Sequence, residues 1–207
     1  MQYNPTIHKL SNGVTVILDP MDLETVSVKV LFRTGSRDEG PTEYGLTHFC
    51  EHMLCSSTAR FAASKERQEF LDDHGGNHNA ATGNNRLYFY GRILAENINV
   101  LIDVISDQLQ NALFEPDKID IEHRVVIDEL RRALDNSQRQ YRDFVSGKLF
   151  NYATFSTRGL GTEELILSFT RDRVIEFLGR RLSANNCIIG ISGRILDADA
   201  VLRHLET

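Results

Sequence analysis

Cysteine is scarce in this chain, with only Cys50, Cys55 and Cys187 among 207 residues. An odd number without a framework spacing gives no disulfide scaffold and points to a reducing compartment such as the cytoplasm. The start "MQYNPTIHKLSNGVTVILDP" lacks an apolar run after a basic stretch, so no secretory signal is visible. An organelle matrix or the periplasm would follow only from a processed N-terminus. No window reaches the roughly 18–20 apolar residues of a membrane span. No Lys/Arg block exists and the net charge is −6, which argues against nucleic acid or an anionic membrane as partner. Linkers, low-complexity tracts and short repeats are also missing. What remains is ordinary globular composition, and 207 residues suffice for one large domain with a full core.

Alternation carries the first strands. "IHKL" and "VTVILD" flank Ser11-Asn12-Gly13, and Asn-Gly is a hairpin signal. In "TVSVKVLFRTG", Val26, Val28, Val30 and Phe32 alternate with Thr25, Ser27, Lys29 and Leu31, as in a strand with one buried face. The loop "SRDEGPTEYG" follows. From Gly45 to about Cys55 the period turns helical, with Leu46, Phe49, Cys50 and Met53 on one face. Ser64 is expected to cap a helix over "SKERQEFLDDH", ended by Gly75-Gly76. "NHNAATGNNRLYFYGRIL" reads as an extended segment, a turn and a strand. Helices are expected from about Glu96 to Gln110, after Glu115-Pro116-Asp117 through "KIDIEHRVVIDELRRALD" (Lys118 to Asp135), and from Gln138 to Phe150. "STRGLGTEE" reads as a loop without the Gly-Lys-Ser/Thr ending of a phosphate cradle. A helix from Thr170 to Arg181, a strand from Asn186 to Ser192 and a closing helix over "DADAVLRHLE" complete the chain. This order predicts an α+β fold, a two-layer α/β sandwich with a largely antiparallel sheet and helices packed on one face.

A second face of the early helix carries different chemistry. His48, Glu51, His52 and Cys55 repeat the helical spacing beside the apolar stripe. Two imidazoles four residues apart can reach one divalent ion, and Glu51 on the same face can take a proton from water. The order His-x-x-Glu-His is the inverted form of the commoner zinc-peptidase pentad. The competing reading is a solvated polar face. Such a site needs a third ligand, a carboxylate or a histidine from a neighbouring element. Glu122 and Glu129, seven residues apart on the expected Lys118–Asp135 helix, lie about 20° out of register. One can ligate while the other orients, or both can pair with Lys118 and Arg132 on a plain surface helix.

The pentad, followed by Glu129 at 77 residues after His52, resembles the inverted zinc peptidases of the pitrilysin, insulin-degrading enzyme and mitochondrial processing peptidase group. The resemblance covers nearly the whole chain: "LSNGVTVILD" and "VSVKVLFRTGSRDE" look like the family's opening strands, and "GLTHFCEHML" its metal helix. "GGNHNAATGNNRLYFY" looks like its substrate strand, and "FEPDKIDIEHRVVIDEL" its third-ligand helix. It implies that His48, His52 and Glu129 ligate one Zn2+, that Glu51 is the general base and that Glu122 is a supporting acid. Asn79 and Ala80 would hold a peptide substrate, which can add as an extra strand to a sheet edge. From the residues alone, Asn79 reads as a turn residue.

Two departures stand out. Family members carry an aromatic and Gly-Thr after the pentad, whereas Leu54-Cys55-Ser56-Ser57-Thr58 stands here and places Cys55 on the metal face. Family peptidases also resemble two or four units of this size closed like a clam-shell. Residues 1–207 look like the first, N-terminal unit alone, so the expectation is a zinc endopeptidase domain, weakly active without a second homologous domain or subunit. Two rivals remain: a non-catalytic or scaffold subunit of a processing-peptidase-like complex, and a zinc-stabilised binding module with Cys55 as fourth ligand.

Overall fold

The expected opening hairpin forms between β1 (Thr6–Lys9) and β2 (Thr15–Pro20), which pair antiparallel. The computed structural model describes residues 4–149 and 159–206. After the hairpin come β3 (Thr25–Phe32), α1 (Leu46–Ser56), α2 (Ser64–Asp73), β4 (Asn77–Thr82) and β5 (Leu87–Leu94). Then follow α3 (Ile98–Gln110), α4 (Pro116–Asp135), α5 (Ser137–Leu149), α6 (Glu163–Leu167), α7 (Arg171–Arg181), β6 (Cys187–Gly193) and α8 (Ala198–Leu205). One six-stranded sheet runs in the order β1-β2-β6-β3-β5-β4. β2 and β6 are parallel and the other pairs antiparallel.

Period-two alternation divides the sheet into a covered and an open face. Val26, Val28, Val30 and Phe32 of β3 are buried, as are Leu87, Phe89 and Ile93 of β5. Ser27, Lys29, Tyr90 and Arg92 point the other way and stay exposed. α3 lies on the covered face against β3 and β5. It packs tightly at Gly91, where an added Cβ would meet Leu101 of α3 at 2.8 Å and the Asn77 carbonyl of β4 at 2.3 Å. This is the two-layer α+β arrangement that the patterning predicts.

The differences are local. Ser64 is the first residue of α2 rather than its cap; Ala63 takes the cap position without a side-chain bond. The Glu66 carboxylate instead accepts the Ala62 N–H at 2.9 Å. Residues Ala95–Asn97 form a 3₁₀ turn, so α3 proper begins at Ile98. The segment read as a loop runs at Glu163 and Glu164 into α6, whose N-cap Thr162 side chain accepts from the Leu165 N–H. Phe150 and the leading Ser156, Thr157 and Arg158 of that segment lie outside the described residues.

Candidate active site

α1 is held by its apolar stripe. Leu46, Phe49, Cys50, Met53 and Leu54 are all buried, and each large side chain removed from water contributes about 1.5–3 kcal/mol. That burial fixes the rotation of the helix, so the other face, with His48, Glu51 and His52, turns towards α4 and β4.

There the two imidazoles meet Glu129. His48 Nε2 and His52 Nε2 each lie 3.6 Å from Glu129 Oε2, and the three candidate donor atoms fall within 4.8 Å of one another. Donors about 2.0–2.2 Å from a tetrahedrally held zinc stand roughly 3.4 Å apart, so the spacing fits one such ion. The donor set also fits: two imidazoles and one carboxylate are an open, three-ligand combination. Cys55 is outside this group. Its Sγ accepts from Gln108 Nε2 at 3.4 Å, and burial pushes its thiol up to about 12. The expectation of Cys55 as a closing fourth ligand therefore finds no support in the geometry.

The two α4 carboxylates divide their tasks. Glu122 Oε2 bonds His52 Nδ1 at 3.0 Å, leaving His52 Nε2 to face Glu129. A ring nitrogen engaged this way fixes both tautomer and ring orientation. Burial works to lower the His52 pKa, but the Glu122 bond and the charges of Glu129, Glu122 and Glu51 carry it above its ordinary value. His48 has no such carboxylate on its far side. Its Nδ1 is buried without a protein partner, and burial, reinforced by the His52 and Arg139 charges, brings it down to about 3. His48 is thus kept neutral, the form that can bind a metal.

Glu51 sits beside this cluster, and burial raises its carboxyl against the pull of its bond to Thr82 and of His52. The Thr82 hydroxyl donates to Glu51 Oε2. A cleft of about 490 Å³ is lined by His48, Glu51, His52, Glu129, Asn79, Ala80 and Cys55 among others. Asn79 and Ala80 belong to β4, one of the two edge strands of the sheet, and Asn79 Oδ1 accepts the Ala80 N–H at 2.8 Å. All the residues singled out from the sequence therefore line one cleft. Thr82 was missed, although alternation along β4 places it on the same side as Ala80. His123, next to Glu122, serves packing instead: it stacks on Phe49 at 5.0 Å between ring centres and bonds the Phe169 carbonyl at 3.0 Å.

A model of the insulinase family (peptidase family M16) matches residues 15–163. The chain belongs to that family. An uncharacterized zinc protease of Rickettsia bellii is 32% identical over 207 residues, which is all of this chain and 50% of that protein. The mitochondrial-processing peptidase subunit beta of Dictyostelium discoideum is 28% identical over 189 residues, 91% of this chain and 40% of that protein. A protease from Helicobacter pylori shares the fold with a TM-score of 0.89 and 22% identity, covering 100% of this chain and 51% of that one. The chain thus spans about half the length of the curated relatives it matches. Among the described residues of this insulinase-family chain, no helix is long and apolar enough to cross a membrane.

Proposed function

We propose that the chain is the zinc-binding unit of a metalloendopeptidase that hydrolyses peptides or unfolded segments, working with a second homologous unit. The observation that carries this reading is the convergence of His48 Nε2, His52 Nε2 and Glu129 Oε2, 3.6 Å between each ring nitrogen and the oxygen, with Glu51 on the same helix face. In this reading the three side chains hold one zinc ion and Glu122 keeps the His52 ring turned towards it. Zinc held there supplies the Lewis acidity that makes water a nucleophile near neutral pH. Glu51 takes the proton from the attacking water and delivers it to the leaving amine.

The peptide docks as an added strand on β4, through main-chain bonds that do not read side chains. A substrate carbonyl that reaches the Ala80 N–H displaces Asn79 Oδ1, and the freed Asn79 amide then holds the carbonyl under attack. The half-length match to the relatives supports the need for a second unit.

The test is metal analysis combined with a peptide cleavage assay, run with and without a second unit. Zinc near one per chain is expected for the wild type and for Glu51→Gln, and less for Glu129→Ala. Hydrolysis is expected for the wild type only, and efficiently only with the second unit present. Hydrolysis by Glu51→Gln refutes the role of Glu51. A wild-type chain that binds zinc yet cleaves nothing in the complete assembly is a scaffold subunit.

A further inference from the structure

α1 begins at a disadvantage. Its N-cap residue is Gly45, which has no side chain to bond the free N–H groups of the first turn, and no acidic residue stands in that turn. Exposed N–H groups at a buried helix start are costly unless something accepts them. The acceptor comes from outside the helix. Glu39, only 6% exposed, takes the Gly45 N–H with Oε2 at 2.9 Å and the Thr47 N–H with Oε1 at 2.7 Å. The Leu46 N–H goes to the Glu43 carbonyl at 2.8 Å.

The segment that presents Glu39 is itself anchored by α7. Arg173 donates to the Thr42 carbonyl at 2.7 Å, Arg180 to the Glu43 carboxylate at 2.6 Å, and Arg181 to the Asp38 carbonyl. The carboxylate therefore arrives on a braced support. It also complements the positive end of the helix.

We infer that Glu39 is a positioning residue for the metal helix: its carboxylate fixes the first turn of α1 and thereby the place of His48. Thr47, whose N–H it holds, is the residue immediately before His48. His52 lies one turn further on, between the buried Phe49, Cys50, Met53 and Leu54, and depends on Glu39 less. The inference rests on reading His48, His52 and Glu129 as the metal site.

Glutamine at position 39 cannot reproduce the arrangement. Its amide has one oxygen for two N–H groups, and its NH2 must face one of them. A buried donor left unsatisfied is costly, and fraying the first turn of α1 relieves it. The experiment is a Co2+ titration of the metal-free 207-residue chain at about pH 8, above the value of about 7 to which burial lifts the Glu39 carboxyl, followed by the visible absorption of the bound ion. Glu39→Gln is expected to stay folded by far-ultraviolet circular dichroism, yet to bind Co2+ about 10–100-fold more weakly and with altered bands. Glu69→Gln, which removes an exposed charge pair with Lys65 on α2, is expected to match the wild type.

A purely stabilising role would lower the unfolding midpoint while leaving affinity and bands unchanged well below it. That result overturns the inference. Should Glu39→Gln fail to fold, Glu39→Asp, with the charge on a chain one methylene shorter, is read the same way. Weaker binding supports the proposal and unchanged binding overturns it. Wild-type Co2+ binding that survives His48→Ala unchanged would instead sink the metal-site reading itself.

Discussion

Thr82, the last residue of β4, donates its hydroxyl hydrogen bond to Glu51 on α1. The strand proposed to receive the peptide and the side chain proposed to move the proton are therefore tied together. A bond to a charged group contributes about 1.5–3 kcal/mol. Thr82→Val is expected to lower kcat by about 10-fold or more while leaving KM and zinc content unchanged. Thr82→Ser, which keeps the hydroxyl, should restore most of the rate. The assay is steady-state cleavage of a fluorogenic peptide by the complete assembly. A Thr82→Val enzyme with wild-type kcat removes Thr82 from this role.

The clustered donors of His48, His52 and Glu129 should couple metal binding to stability. A ligand that binds only the folded chain stabilises it by about 4 kcal/mol at a thousandfold excess over Kd. Zinc added to the metal-free chain is expected to raise Tm by several degrees, and EDTA to reverse the rise. His52→Ala should abolish the effect. Differential scanning calorimetry reads both, and an equal zinc-induced rise in His52→Ala argues against the site.

Two buried groups give the metal-free chain opposing pH dependences. Burial, with the Arg67 charge adding to it, pulls His78 down to about 4 from 6.5. The unfolded chain then takes up a proton that the native state refuses. The His78 contribution is complete above about 6.5 and lost as pH falls towards 4, about 3 kcal/mol in all. Glu39 runs the other way. Burial lifts it to about 7 from 4.5, against the pull of the Thr47 and Gly45 donors and with the Glu43 charge adding to the rise. Its contribution is complete below 4.5 and lost as pH rises through 7, again about 3 kcal/mol. The two largely offset each other between these limits. Glu39→Gln removes one of them, so its stability should fall more steeply than that of the wild type between about pH 6.5 and 4.5. Urea unfolding in EDTA across that range is the measurement, and parallel curves for the two chains contradict it.

Gly45 adopts φ +91°, and an added Cβ there would meet the Leu160 carbonyl oxygen at 2.5 Å. Gly45→Ala is expected to destabilise the chain by about 2 kcal/mol or more, from backbone strain and the clash together. Gly179 in α7 has open space around its missing Cβ. Gly179→Ala should stabilise by about 0.5–1 kcal/mol. Chemical denaturation of the two variants side by side tests both signs.

Much of this fold is written in local periodicity. The alternation of β3 and the single apolar stripe of α1 are short-range patterns, and burial preserves them. α6 escaped notice because five residues are too few to show a helical period, and its Gly159-Leu160-Gly161 lead-in reads as a loop. The parallel pairing of β2 with β6 joins segments about 170 residues apart, with Val16 opposite Ile189, and no local pattern encodes it.

The site divides in the same way. His48 and His52 are recognisable because helix geometry alone brings them together. Glu122 and Glu129 share a face of α4, and only the packing of α4 on α1 sends one to Nδ1 of His52 and the other to Nε2. Glu39 could not be picked out among the acids of its loop. Its role depends on a glycine helix start six residues later and on where the intervening chain doubles back.

β6 lies between β2 and β3, although it is the last of these six strands to be made. While the polypeptide emerges from the ribosome, the opening hairpin has no neighbour on one side until Cys187–Gly193 is available. The N-terminal strands must therefore wait, edges bare, for almost the entire domain to be translated, and premature termination before Cys187 leaves a split sheet inclined to aggregate.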